Sequence, residues 1–358
     1  MNTLIPRFEA LLRGDRLKLR GWRIGPAGAR DLAALPGLDR VRVLELTGNR
    51  IGDAGLQALI PALGAVTELH LGDNALTAAG LGSLASLASL NELHIDHNTL
   101  GPPAIEALRP VIPRLEIFDF TGNSLGDLGA RMLAEAGLRA EEVQLDYTGL
   151  GPAGLAALVP VLGPAHALLL SGNPLGDAGA EALAALAATT TGFSSLTLDW
   201  VGLSAAGLAR LLDSGLFQAG ISHLALRGNP LGEAGFRLLA EHPKLPSTTL
   251  HLSDGPPEVV RAIRARTRAI VAVPVDAGLV LTCPYCCEPI DPDVALCPHC
   301  HEDTSRDAPS EERISQFAAV ERRPCFLCGH AMQAHRATRC PGCASWVVSA
   351  DERARHGR

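Results

Sequence analysis

A Leu-x-Leu-x-x-Asn-x-Leu pattern recurs through the first three quarters of the chain, and it constrains the fold more than any other feature. It is plain in RVLELTGNRIGDAGL (42–56), TELHLGDNALTAAGL (67–81), NELHIDHNTLGPPAI (91–105), EIFDFTGNSLGDLGA (116–130), HALLLSGNPLGDAGA (166–180) and SHLALRGNPLGEAGF (222–236). Two further copies, around 148 and 201, carry Thr148 and Val201 at the Asn position, and Trp22 and Gly255 mark degenerate ends. The ten landmarks fall at 22, 49, 74, 98, 123, 148, 173, 201, 229 and 255, a spacing of 24 to 28 residues. A period of this length implies stacked supersecondary units that share one continuous core.

Each unit opens with a short strand whose alternate residues, such as Leu44 and Leu46, face inward. Asn49, Asn74, Asn98, Asn123, Asn173 and Asn229 follow the strands. There a side-chain amide can satisfy backbone groups that the turning chain leaves unpaired, so a ladder of stacked Asn side chains is predicted. Helix starts are signalled by Thr77 and Ser204 as N-caps, by Pro26, Pro102 and Pro152 at the first turn, and by Asp53, Asp127 and Asp177 near the positive helix end. Ala/Leu-rich stretches such as AGLQALIPAL and AGLAALVPVL then pack behind the strands.

This arrangement resembles leucine-rich repeats of the ribonuclease-inhibitor type, over roughly residues 14–258. The resemblance implies an α/β solenoid, a horseshoe with a parallel sheet on the concave side and helices on the convex side, that binds a protein partner across the concave face. The expected organisation is a capping helix at 1–13 and the solenoid at 14–272, with residues 257–269 as a last capping helix carrying Arg261, Arg264 and Arg268 on one face.

Strand alternation sets what the concave face displays. One row runs Lys18, Glu45, His70, His94, Asp119, Gln144, Leu169, Thr197, Ala225 and His251. A second runs Arg20, Thr47, Gly72, Asp96, Thr121, Asp146, Ser171, Asp199, Arg227 and Ser253, and a third includes Glu68, Glu92 and Glu142. The middle of the face is acidic, and Tyr147 and Trp200 stand just past strand ends as aromatic anchors at a rim. The partner-binding candidates are therefore Glu45, Glu68, His70, Glu92, His94, Asp96, Asp119, Glu142, Asp146, Tyr147, Asp199 and Trp200, which would select a basic protein segment. The competing reading is a merely solvated face. His70 and His94, beside Glu68, Glu92 and Asp96, also form a candidate metal or acid-base cluster, though without an evident nucleophile or third fixed ligand.

All nine cysteines lie between Cys283 and Cys343. Eight form two quartets: Cys283 and Cys286 with Cys297 and Cys300, then Cys325 and Cys328 with Cys340 and Cys343. Two residues between paired cysteines let both sulfurs approach one ion, and a short connection brings two pairs into a tetrahedron, so two structural zinc ions are expected. An iron site of rubredoxin type is the alternative occupant, and disulfides rank below both. The segment resembles a double zinc ribbon, with one ribbon at 281–302, a linker at 303–322 and a second ribbon at 323–350. Such units are too small to fold without a staple, and zinc binding worth about 10–16 kcal/mol supplies it. Four cysteine ligands leave no open position for a substrate. Cys287 is the odd thiol.

Charge and composition narrow the function classes. Thirty-one basic against 38 acidic residues give a formal charge of −7, which argues against a chain-wide surface for nucleic acid or anionic lipid. The N-terminal segment does not read as a secretory signal, and the uncharged stretch 147–176 is interrupted by prolines and glycines that disfavour a membrane span. The expectation is a cytoplasmic, non-enzymatic scaffold for protein–protein interaction, with zinc ribbons as a second docking module. The alternatives are a zinc-ribbon nucleic-acid adaptor and a ubiquitin-ligase-like regulator. The ligand order here is not the interleaved order of a RING domain, which weighs against the last.

Overall fold

The computed structural model describes residues 5–271 except 191–193, 218–220, 244, 246–247, 253–255, 257–258, 261 and 264–269; beyond 271 it describes only four short strands. The chain divides into two units, Met1–Val271 and Ala272–Arg358.

In the first unit the periodic strands form one parallel sheet in sequence order. They are β1 (Arg16–Lys18), β2 (Val43–Glu45), β3 (Glu68–His70), β4 (Glu92–His94), β5 (Ile117–Asp119), β6 (Glu142–Gln144), β7 (Ala167–Leu169), β8 (Ser195–Thr197), β9 (His223–Ala225) and β10 (Thr249–Leu252). Each is brief because only its central residue and the hydrophobic residue two positions later turn into the core. Leu17, Leu44, Leu69, Leu93, Phe118, Val143, Leu168, Leu196, Leu224 and Leu250 occupy that central register, all fully buried. Burying one such side chain contributes about 1.5–3 kcal/mol, so the stacked column is a main source of cohesion.

Helices return the chain behind the sheet: α1 (Ile5–Leu11) precedes β1, and α2 (Gly25–Ala33), α3 (Gly52–Leu59), α4 (Ala78–Leu81), α5 (Pro102–Leu108) and α6 (Gly126–Glu135) follow successive strands. The series continues with α7 (Pro152–Leu158), α8 (Gly176–Leu186), α9 (Ala205–Asp213) and α10 (Gly232–Glu241). The start signals operate as the residues suggest. Thr77 and Ser204 accept hydrogen bonds from the Ala79 and Ala206 amides at 3.2 and 3.1 Å, and Pro102 and Pro152 begin their helices. In AGLQALIPAL and AGLAALVPVL the α-helix tightens to a 3₁₀ turn at Ile60–Ala62 and Val159–Val161, where proline withholds the N–H that an α-turn needs.

Asp53, Asp127 and Asp177 do more than favour their own helix ends. The Asp53 carboxylate accepts from the Thr77 amide and hydroxyl at 2.8 and 2.6 Å, Asp177 accepts likewise from Ser204 at 2.8 and 2.6 Å, and Asp127 accepts from the Gly151 amide at 2.8 Å. Each clips the start of one helix to the start of the next. Gly80, Gly154 and Gly207 make room, since a Cβ at any of them would run into the neighbouring carboxylate.

The predicted Asn ladder is present. Asn98 Nδ2 donates to the carbonyls of Leu71 and Ile95 at 2.9 and 3.0 Å, while its Oδ1 accepts from the Asn74 and Leu76 amides at 2.9 and 3.0 Å. One side chain thus satisfies backbone groups of two consecutive repeats. Thr148 keeps only part of this role: its single hydroxyl proton is shared between the Leu145 carbonyl at 2.9 Å and Asn173 Oδ1 of the next repeat at 3.2 Å.

At the N-terminal end Phe8 of α1 is fully buried and its ring lies 6.2 Å from that of Trp22, so an aromatic pair closes the core where the repeat degenerates. At the other end the sheet gains β11 (Ile270–Val271), paired parallel with β10, an eleventh strand that the periodicity does not announce. Residues 259–260 and 262–263 are helical; Arg261, Arg264 and Arg268 lie outside the described residues, as do the landmark Gly255 and Ser253.

In the second unit β12 (Arg322–Pro324) pairs antiparallel with β13 (Ala331–Gln333), and β14 (Thr338–Arg339) with β15 (Trp346–Val347). The eight ligand candidates Cys283, Cys286, Cys297, Cys300, Cys325, Cys328, Cys340 and Cys343, the remaining thiol Cys287 and the linker 303–322 lie outside the described residues.

Candidate functional site

Parallel register builds the open face of the sheet row by row. Lys18, Glu45, His70, His94, Asp119, Gln144, Leu169, Thr197, Ala225 and His251 stand opposite one another on adjacent strands, so the first row is contiguous. Glu68 and Glu92 are register partners, and Ile117 separates them from Glu142.

The centre of the face is a compact charge cluster. The His70 and His94 rings stack with centroids 4.2 Å apart and planes within 8°. His70 Nε2 lies 2.8 Å from Glu68 Oε1, and His94 Nδ1 lies 3.4 Å from Asp119 Oδ2. Burial, then the neighbouring His94, lowers the His70 pKa against the pull of Glu68 and Glu45. For His94 burial acts downward too, but the hydrogen bond and charge of Asp119, with Asp96 and Glu92, outweigh it and raise the pKa. Among the described residues no group of three or more His, Cys, Asp or Glu side chains is arranged to hold a metal ion.

The face is less uniformly anionic than the residue types suggest. Burial, then the charge of Asp119, pushes the Asp96 carboxyl up to about 7, and burial pushes Asp199 up to about 6 against the Arg227 amide and guanidinium. Glu92 is also raised, by burial and by Glu68. A carboxylate that leaves water without a full set of donors holds its proton more tightly.

Three of the aspartates are also tied to backbone, which sequence reading missed. Asp119 is buried, with Oδ1 accepting from the Thr121 amide at 2.9 Å; Asp146 Oδ1 accepts from the Ser171 amide, and Asp199 Oδ1 from the Arg227 amide at 2.6 Å. The last two bonds cross to the following repeat. No sequence signal distinguishes such an aspartate from a solvated one.

Tyr147 and Trp200 sit one residue past these aspartates in the left-handed region, at φ +54° and +59°, as does His97 at +52°. Gly48, Gly122, Gly172 and Gly228 occupy the same position in other repeats, also with positive φ. The His97, Tyr147 and Trp200 side chains extend over Gly122, Gly172 and Gly228, where a Cβ would overlap each ring. Tyr147 is half-buried and Trp200 is 52% exposed.

Four segments of this unit, residues 41–59, 66–85, 113–134 and 166–184, match the family model of the leucine-rich repeat. These four segments are leucine-rich repeats. Leucine-rich repeats generally serve protein–protein interaction and typically act as scaffolds rather than catalysts, which agrees with a broad, mixed-charge sheet face. Among the described residues, no helix is long and apolar enough to cross a membrane.

Proposed function

We propose that this leucine-rich repeat protein is a non-enzymatic interaction scaffold of the ribonuclease-inhibitor type, whose sheet face takes a protein partner through a basic segment. The observation that carries the reading is the contiguous first row: Glu45, His70 and His94 on adjacent strands, flanked by Glu68 and Glu92 and backed by the buried Asp119, form a polar surface with a negative balance. Complementary charge on a partner would speed encounter and fix register.

The second docking module is the cysteine-rich tail. Two quartets of Cys-x-x-Cys pairs are a donor set suited to two structural zinc ions. The connections 325–330 and 340–345, which carry Cys325 with Cys328 and Cys340 with Cys343, each join two antiparallel strands, the chain path that a zinc ribbon uses. Bound zinc supplies cohesion there; the residues around it offer a surface, not a reaction. A cytoplasmic location fits free thiolates held by metal.

Affinity capture with the full chain tests the reading. A partner retained by the wild type and lost on charge reversal at Glu68, Glu92 and Asp146 supports it, given unchanged circular dichroism. Retention of every partner by the charge-reversed chain sinks it.

A further inference from the structure

The sheet has an open outer edge at β1. In the next repeat the Glu45 and Thr47 carbonyls accept from the Leu19 and Gly21 amides at 2.8 Å each, and the Arg42 and Val43 amides donate to the Asp15 carbonyl at 2.8 and 3.1 Å. Successive residues of a strand offer their main-chain groups to alternate sides. The Lys18 amide and the Lys18 and Arg20 carbonyls are the counterparts of the Glu45 and Thr47 groups one strand earlier, so they point away from β2. Arg16 points the same way, but the chain closes that level itself: the Arg13 amide donates to the Arg16 carbonyl at 2.9 Å and the Arg16 amide to the Arg13 carbonyl at 3.1 Å. Nothing among the described residues does the same for Lys18 and Arg20.

Charge and an aromatic group mark the same edge. Arg16, Lys18 and Arg20 are exposed, and strand alternation puts their side chains on the open face. Lys18 pairs with Glu45 at 3.6 Å, whereas among the described residues no acid lies within ion-pair distance of Arg16 or Arg20. Trp22 takes the position that Asn49 and Asn74 hold in later repeats. With no preceding repeat to cover it, its ring leans on Phe8 and stays 41% exposed. Cationic side chains alone would serve to keep a bare edge from aggregating. An exposed tryptophan beside open main-chain groups does not fit that purpose, because it adds the apolar area that such a device withholds.

These features specify one kind of occupant. The open carbonyls call for a row of N–H donors at strand spacing, which a peptide backbone offers and a polyphosphate or an anionic lipid does not. A second copy of this chain would bring its own Arg16 and Arg20 opposite these, and like charges facing one another destabilise a strand pair. We infer that the outer edge of β1 takes an extended acidic segment of a partner protein as an added strand. Acids at alternate positions of that segment lie beside Arg16 and Arg20, and apolar residues between them turn to the Trp22 side. The edge is a separate surface from the acidic centre of the face, so the two sites are tested independently.

The probe is a short fluorescein-labelled peptide alternating glutamate and valine, titrated into the full chain and followed by fluorescence anisotropy. Arg16→Glu with Arg20→Glu, checked for an unchanged circular dichroism spectrum, is expected to weaken binding about tenfold or more, as is lysine in place of the peptide's glutamates. N-methylation tests the main-chain bonds. One peptide is methylated at its valine amides and another at its glutamate amides; the one whose blocked amides face β1 should fail and the other should bind. Failure of the valine-blocked peptide denotes a parallel added strand, failure of the glutamate-blocked peptide an antiparallel one. No binding by the wild type, indifference to the charge reversal, or equal behaviour of the two methylated peptides overturns the inference. Sedimentation showing a dimer that the double variant loses would give the edge to a second copy, and overturns it likewise.

Discussion

His70 and His94 stack with their ring centroids 4.2 Å apart, yet their surroundings drive their proton affinities in opposite directions. His94 faces Asp119, while His70 is buried against a neighbour that is itself cationic when protonated. The pair therefore takes up its first proton at His94. In a two-dimensional NMR titration the His94 ring signals are expected to shift with a midpoint above 6.5 and those of His70 below it; the reverse order would contradict the structure.

Asp96 links this cluster to stability. Its folded pKa of about 7 exceeds the ordinary 3.8, so the folded state binds its proton more tightly than the unfolded state does. Its contribution to stability is present below about pH 3.8 and is lost as pH rises through 7. Asp96→Asn removes the penalty, so thermal melts should show the variant gaining more over wild type at pH 8 than at pH 5.

The Asn ladder is a stability device with a measurable gradient. Asn98→Ala leaves the amides of Asn74 and Leu76 and the carbonyls of Leu71 and Ile95 without these partners in a buried site. Unsatisfied buried groups cost about 1–3 kcal/mol each, and solvent relaxation trims the sum, so a total loss of about 3–5 kcal/mol in denaturant unfolding is expected. Asn229→Ala, at a half-buried position, should cost less.

The clip from Asp177 to Ser204 predicts a pH-dependent mutational effect. Hydrogen bonds from the Ser204 hydroxyl and amide hold the Asp177 carboxyl below its usual pKa. A depressed acid stabilises the fold above its unfolded value near 3.8 and loses that contribution as pH falls through its folded value. Asp177→Ala should cost about 1 kcal/mol at pH 7, as losing a capping interaction does, and the difference from wild type should shrink by pH 3.

Elemental analysis of the tail gives the fifth prediction. Purified chain is expected to carry two zinc ions, and Cys340→Ser to carry one. Iron in place of zinc, or full metal content in the variant, would refute the ribbon assignment.

Leucine periodicity by itself determined the stacked parallel strands, the helices behind them, the Asn positions and the residues that share each face row. It could do so because burial forces Leu44, Leu69 and Leu93 into one register, and every neighbouring position follows from a period of two. Only the tertiary structure decided how those face residues behave. Whether an aspartate is solvated like a surface acid, clipped to the next repeat like Asp146, or desolvated like Asp96 depends on groups some 25 residues away that the stacking brings beside it. The packing of the Tyr147 and Trp200 rings over the glycines beneath them arises the same way: each is a contact between repeats, and a linear pattern records repeats one at a time.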